Sequence, residues 1–226
     1  MQAFKETIDL PRIAGLLRQG CRASLFLRHS ERPPIDPADT TFGQALPLTP
    51  RGAGLARDAG RHLAGTADAR FAASPMTRCR MTAQHIAEGM GLPDAPVADE
   101  PRLGLGGFYY EDPANLQALM RRQGYLAFML DYLRNGTAPY SRPIGEATGL
   151  MTAWLKDATT RQLNILISHD IFVAALLTGL RARAYTAGDW VGFIHGAAII
   201  NTPDGGWHCH PCVPELAAAQ AVPFLH

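Results

Sequence analysis

The sequence predicts an α/β protein: a three-layer α/β/α sandwich with a mostly parallel central sheet and a small helical insertion. Two observations carry this. Short apolar runs of strand length, "RASLFLRH", "RFAASP" and "LNILIS", alternate with longer stretches of helical spacing. Each run also stops at a group of polar residues, as expected where parallel strands end beside a ligand crevice.

Taken in order, residues 5–20 read as a short amphipathic helix closed by Gly20, and "RASLFLRH" as a buried parallel strand. The stretch "SERPPIDPADTTFGQALPL" is too rich in Pro, Asp and Thr for regular structure throughout. In "TPRGAGLARDAGRHLAG", Thr49 suits an N-cap and Pro50 the first helical position, with Leu55, Ala59 and Leu63 on one face. "RFAASP" is the next strand, "MTRCRMTAQHIAEGMG" the next helix, and "APVADE" a third short strand. From Pro101 the pattern changes: a loop-like "RLGLGGFYYEDP" precedes a helix, a glycine break and a second helix. "EATGLMTAWLKDAT" resumes helical spacing, "LNILIS" is a strand and "DIFVAALLTGL" an apolar helix. "FIHGAAIINTPDGGWHCHP" reads as a hairpin turning at Asp-Gly-Gly. The chain is therefore expected to be a single domain, 1–226, with a cap insertion at about 101–145.

Composition narrows the function. Nearly half of the 226 residues are hydrophobic, enough for a full-sized core, and the formal charge is only +1. No long basic run is present, which argues against nucleic acid or an anionic membrane surface as partner. The N-terminus lacks the apolar segment of a secretory signal, and no window of about 18 apolar residues would span a membrane. Four cysteines, Cys21, Cys79, Cys209 and Cys212, are too sparse for a disulfide scaffold. These features predict a soluble, cytoplasmic protein; oligomeric state is not legible.

Three clusters fall at strand ends: Arg28-His29, Ser74-Pro75 with Arg78, and Ser168-His169-Asp170. One crevice lined by them would hold arginines, two histidines and an aspartate. Guanidinium forks match phosphate oxygens, so such a crevice calls for an oxyanion, above all a phosphoryl group. Neutral imidazole is a nucleophile, and a neighbouring arginine opposes its protonation. A carboxylic acid can then protonate the leaving oxygen.

Four segments at these positions, "LFLRHSERP", "LTPRGAGLA", "SPMTRCRMTA" and "ISHD", resemble those of the histidine phosphatase superfamily, which includes phosphoglycerate mutases and histidine acid phosphatases. The resemblance runs from about residue 24 to 180. It implies a metal-independent phosphomonoester hydrolase, needing no cofactor and acting on a small phosphorylated substrate. His29 would be the nucleophile carrying a phosphohistidine; Arg28, Arg32, Arg78 and His169 would hold the phosphoryl oxygens. Asp170, next to the second histidine, matches the acid-phosphatase proton donor; Glu100 and Glu111 are the counterparts for the mutase pattern. A catalytically weak phosphate-binding protein and a phosphomutase are the alternatives. One departure stands out: Ser30 occupies the position where the family normally has glycine. Serine fits there if its φ is negative, leaving a hydroxyl for a further hydrogen bond; otherwise the site is slowed or altered.

Other motifs have plainer readings. Arg78 could equally face solvent, as Arg80 is expected to, and Asp170 could serve only the helix dipole. His62 and His85 read as ordinary helix residues, while His195, in the late hairpin, is a candidate to touch the crevice. His208, Cys209, His210 and Cys212 in "WHCHPC" offer zinc-type ligands, but strand alternation would turn both histidines away from Cys209. No metal is therefore expected. Phe108, Tyr109 and Tyr110 either line a substrate pocket or form the insertion's own core.

Overall fold

A computed structural model describes residues 5–36, 38–105 and 107–215. The elements run β1 (Ile8–Asp9), α1 (Leu10–Arg18), β2 (Arg22–Arg28), α2 (Pro50–His62), β3 (Ala69–Ala73), α3 (Thr77–Gly89) and β4 (Val97–Asp99). A 3₁₀ turn at Pro101–Leu103 leads to α4 (Pro113–Gln123), α5 (Tyr125–Asn135), α6 (Ile144–Ala158), β5 (Leu163–Ser168), α7 (Asp170–Gly179), β6 (Gly196–Asn201) and β7 (Trp207–Val213). The seven strands form one sheet in the order β1-β7-β6-β2-β5-β3-β4.

The α/β class holds, and the sheet is mixed. β2, β5, β3 and β4 are mutually parallel, and β1 is parallel to β7, whereas β6 runs antiparallel to both β2 and β7. The hairpin turns where expected: Thr202 N–H donates to the Gly206 carbonyl at 3.0 Å, and Gly205 takes up positive φ. The N-terminus differs from its reading. The helix starts only at Leu10, because Asp9 caps it by accepting from Arg12 N–H and Pro11 occupies the first turn. Ile8 and Asp9 instead extend the sheet beside β7.

Two apolar layers flank the sheet. Alternate residues of the central strands, among them Leu25, Leu27, Ile165 and Ile167, pack with Ile13, Ala56 and Ile86 of α1, α2 and α3. Phe26 and Leu166 face the other way and pack with Met151 of α6 and with α7. That helix is apolar all round and buried over residues 171–177, as a core helix must be. α2 and α3 approach closely because both contact points are glycine: a Cβ on Gly60 would lie 2.2 Å from the Ile86 carbonyl oxygen, and one on Gly89 2.1 Å from that of Arg57.

The expected helix, glycine break and helix are present: α4 and α5 are separated by Gly124 at φ 85°, and α5 stops at Gly136 in the left-handed region. Leu116, Met120, Phe128, Met129 and Tyr132 merge with the core layer that holds α7. Phe108, Tyr109 and Tyr110 join it as well, and Tyr110 also borders the cavity described below, so both readings of these aromatics apply. Among the described residues, no helix is long and apolar enough to cross a membrane.

Candidate active site

Sheet register assembles the site. Arg28 pairs with Ser168 and Ala73 with Ile167, so β2, β5 and β3 end side by side. The backbone keeps this alignment beyond the strands, with His29 N–H donating to Ser168 and Ser74 N–H to Ile167, both at 2.9 Å. Arg28, His29, Arg32, Arg78, His169 and Asp170 consequently line one cavity of about 440 Å³. The sequence clusters thus converge.

The two imidazoles meet edge to face, with ring centroids 5.6 Å apart. His29 is buried, and its Nδ1–H donates to the Ser30 carbonyl at 2.7 Å, since a carbonyl can only accept. That contact leaves Nε2 as the basic nitrogen. Burial, then the charges of Arg28 and Arg78, hold its pKa well below 6.5, so the ring is neutral at physiological pH. His169 is also neutral, its pKa lowered to about 3 by burial and by Arg78. Its Nδ1 accepts from Arg78 at 3.5 Å, which leaves Nε2–H to donate to Ser74 Oγ at 3.0 Å.

Three guanidinium groups face this pair. Arg78 comes from the first turn of α3, is buried rather than solvent-facing, and is steadied by the carbonyls of Phe42 and Gly43. Arg28 donates to the Val191 carbonyl and lies over the Phe193 ring, 4.4 Å from its centroid. Arg32 donates to the Pro33 carbonyl, and its pKa falls to about 10 through burial and the nearby charges of Arg78 and Arg28. In all three, Nε is buried without a hydrogen-bond partner among the described residues. Clustered cations with unfilled donors are a site waiting for an anion, because such groups stay buried only at a cost unless paired.

Asp170 is the carboxylate at the floor. It accepts from Tyr125 Oη at 2.8 Å, Ile171 N–H at 2.9 Å and Trp190 Nε1–H at 3.1 Å, and pairs with Arg28 at 3.5 Å. Burial pushes its pKa up, but Arg28, Tyr125 and Trp190 outweigh that and hold it below the ordinary value. Glu100 and Glu111 do not line the cavity. Glu100 is spent on Arg102 and on capping the 3₁₀ turn, while Glu111 lies near Arg142 on the surface. Among the described residues, Asp36 and Asp39 are the other carboxylates on the cavity lining.

Ser30 takes the conformation that serine tolerates, outside the left-handed region. Its hydroxyl is engaged away from the arginine cluster: it donates to the Gly52 carbonyl at 2.7 Å, while its N–H donates to Thr82 Oγ1. Glu31 anchors the same junction, accepting from Thr49 Oγ1 and Arg51. His195 lies behind Arg28 rather than on the cavity wall. In β7, Cys209 packs on one face of the sheet and Cys212 on the other, His208 is exposed, and His210 meets the Glu6 carbonyl, so the four groups do not converge. His85 pairs with Glu88 on its own helix.

Tyr125, Trp190 and Phe193 were not among the site partners expected from the sequence. Ser74 was legible as a strand-end residue. Tyr125 directly follows the glycine break, a position that fixes the start of α5, whereas no local signal marks Trp190 or Phe193.

Residues 25–109 match the family model of the histidine phosphatase superfamily (branch 1). Among solved structures, the fold is similar to phosphoglycerate mutase from Bacillus anthracis str. Sterne, with a TM-score of 0.53 at 11% identity, covering 87% of this chain and 94% of that one. A mycobacterial glucosyl-3-phosphoglycerate phosphatase gives 0.52 at 15% identity, covering 85% and 98%. A protein titled mycobacterial hydrolase 1 gives 0.52 at 16%, covering 84% and 96%. At such identities the likeness is one of fold. No curated protein matches the sequence.

Proposed function

From a histidine phosphatase superfamily match over residues 25–109, we propose that this chain is a metal-independent phosphomonoester hydrolase working through a phosphohistidine on His29. The observation that carries the reading is the convergence of a neutral histidine, oriented through Nδ1, with three arginines whose Nε donors are unfilled. In the proposed reaction the Nε2 lone pair attacks phosphorus and the ester P–O bond breaks. Arg28, Arg32 and Arg78 carry the charge on the non-bridging oxygens. His169 would donate to one of them by exchanging its contact with Ser74.

Asp170 is proposed to protonate the leaving oxygen and then to take a proton from the water that cleaves the P–N bond. Its low pKa in the free site fits the second task. For the first, a phosphoryl dianion bound beside it raises the pKa and lets it hold a proton. Two features favour hydrolysis over the alternatives. Ser30 is accommodated without strain, so a weakened binding-only site loses its rationale. Among the described residues, the one arginine on the cavity lining beyond the three clamping ones is Arg121, and it is engaged with the Thr40 carbonyl and the Phe42 ring, which disfavours the second anionic group of a phosphoglycerate-type mutase substrate. A reducing, cytoplasmic setting belongs to the same proposal and accords with four free, buried cysteines.

The test is turnover of p-nitrophenyl phosphate in EDTA. Wild type should turn over and His29→Ala should not, while Arg78→Ala should lose about 10²–10³ in rate, as when one oxyanion donor is removed. Phosphate binding by clean wild-type protein without turnover would sink the enzyme reading.

A further inference from the structure

The phosphoryl and acid–base groups account for only part of the cavity wall. Most of the remainder is apolar: Phe42 from the loop after β2, Leu105 and Tyr110 from the start of the insertion, Met120 from α4, and Ile171 and Phe172 from α7. The Tyr110 hydroxyl is buried without a partner among the described residues. At about 440 Å³ the cavity lies within the range of small-molecule sites, roughly 300–1,000 Å³. Among the described residues, the charged groups on the lining besides the phosphoryl clamp and Asp170 are Asp36, Asp39 and Arg121. Asp39 is held ionised chiefly by the Thr41 hydroxyl and amide, with help from Gly43 N–H. Arg121 donates to the Thr40 carbonyl and lies over the Phe42 ring, 5.1 Å from its centroid.

From this lining we infer that the substrate is the phosphomonoester of an uncharged alcohol with an apolar, ring-sized body. The inference rests on the hydrolase reading for its chemistry and on the cavity wall for its selectivity. An aromatic or alicyclic body would be removed from water against Leu105, Met120, Ile171 and Phe172, the dominant favourable term for such a ligand. A polyol would surrender its hydration against the apolar part of the wall, where Gln117 and the Tyr110 hydroxyl are the uncommitted polar groups among the described residues that offer it partners. A carboxylate or second phosphate in the leaving group would face two aspartates and one arginine already engaged, a repulsive arrangement that selects against anions.

The test compares primary-alkyl esters, so that the leaving oxygen stays chemically alike. kcat/KM for 2-phenylethyl phosphate should exceed that for glycerol 1-phosphate by about 10–100-fold, the return expected from burying a ring, with 3-phosphoglycerate the poorest substrate. Leu105→Asn and Met120→Gln should each shrink the ratio. Calorimetry with unreactive phosphonates makes the same comparison without turnover: 2-phenylethylphosphonate should bind at least about tenfold tighter than ethylphosphonate. If no ester is turned over, the hydrolase reading fails and the phosphonates still decide selectivity. Equal or better use of glycerol 1-phosphate or 3-phosphoglycerate, or phosphonates of equal affinity, would overturn the inference while leaving a phosphatase standing.

Discussion

His29 and Ser30 divide the work of one strand end. The His29 side chain enters the cavity, and the Ser30 carbonyl fixes its tautomer by accepting from Nδ1. The Ser30 hydroxyl points the other way, into the joint with α2, where Gly52 packs so closely that a Cβ would lie 2.2 Å from the Glu31 carbonyl oxygen. The Ser30 hydroxyl, at the position where the family resemblance implies glycine, therefore belongs to packing. Ser30→Gly should lower the free energy of unfolding by about 1–3 kcal/mol, through the lost donor and an orphaned Gly52 carbonyl, with kcat/KM unchanged. Denaturant titration beside steady-state kinetics checks this; a large loss of activity at unchanged stability would put the hydroxyl back in the site. Arg28, His29, Arg78, His169 and Asp170 were legible from their place at or just past the ends of apolar strands, whereas Arg32 entered only through the family resemblance. What the sequence could not reveal was the direction of each side chain, and Ser30 is the case in point.

At the scale of elements, the α4–α5 pair does more than pack on the core layer that holds α7. Its second helix begins at Gly124, and the first residue, Tyr125, reaches Asp170 with its hydroxyl. That bond is one of the contacts holding the Asp170 carboxylate ionised. Tyr125→Phe should thus raise the Asp170 pKa, so a general acid in the complex keeps its proton to higher pH. In single-turnover measurements the basic limb of phosphohistidine formation should move upward in pH; an unmoved limb would take Asp170 out of the acid role. The helix-break-helix pattern was readable from Gly124 and from helical spacing on either side. The hydrogen bond was not, since 45 residues separate its partners and only tertiary packing joins them. β1 was missed for a different reason: two residues cannot display a strand period, and only their pairing with β7 defines them.

Over the whole molecule, the site sets acid stability. His29, His169 and His195 are all held neutral by burial and by neighbouring arginines, His169 with a pKa of about 3 and His195 of about 4. Below pH 6.5 the unfolded chain binds protons that the folded one refuses, so stability falls as pH falls, by up to about 1.4 kcal/mol per pH unit for each such histidine. For His195 the decline runs from pH 6.5 to about 4, and for His169 to about 3. Asp170 gives no relief in that range: its lowered pKa contributes stability above 3.8, which is lost only on further acidification. Tm should accordingly drop between pH 7 and 4.5, less steeply in His169→Gln, and orthophosphate should restore part of the loss by binding only the folded state. A flat Tm over this range would contradict the buried, neutral pair.

The most direct test of the central claim is to mix the protein with p-nitrophenyl phosphate, quench rapidly under alkaline denaturing conditions that spare phosphohistidine, and map the modified peptide by mass spectrometry. The account predicts one phosphoryl group on His29, absent from His29→Ala and accumulating in Asp170→Asn if attack by water is the step slowed. A phosphoryl group on another residue, or brisk hydrolysis by His29→Ala, would contradict it.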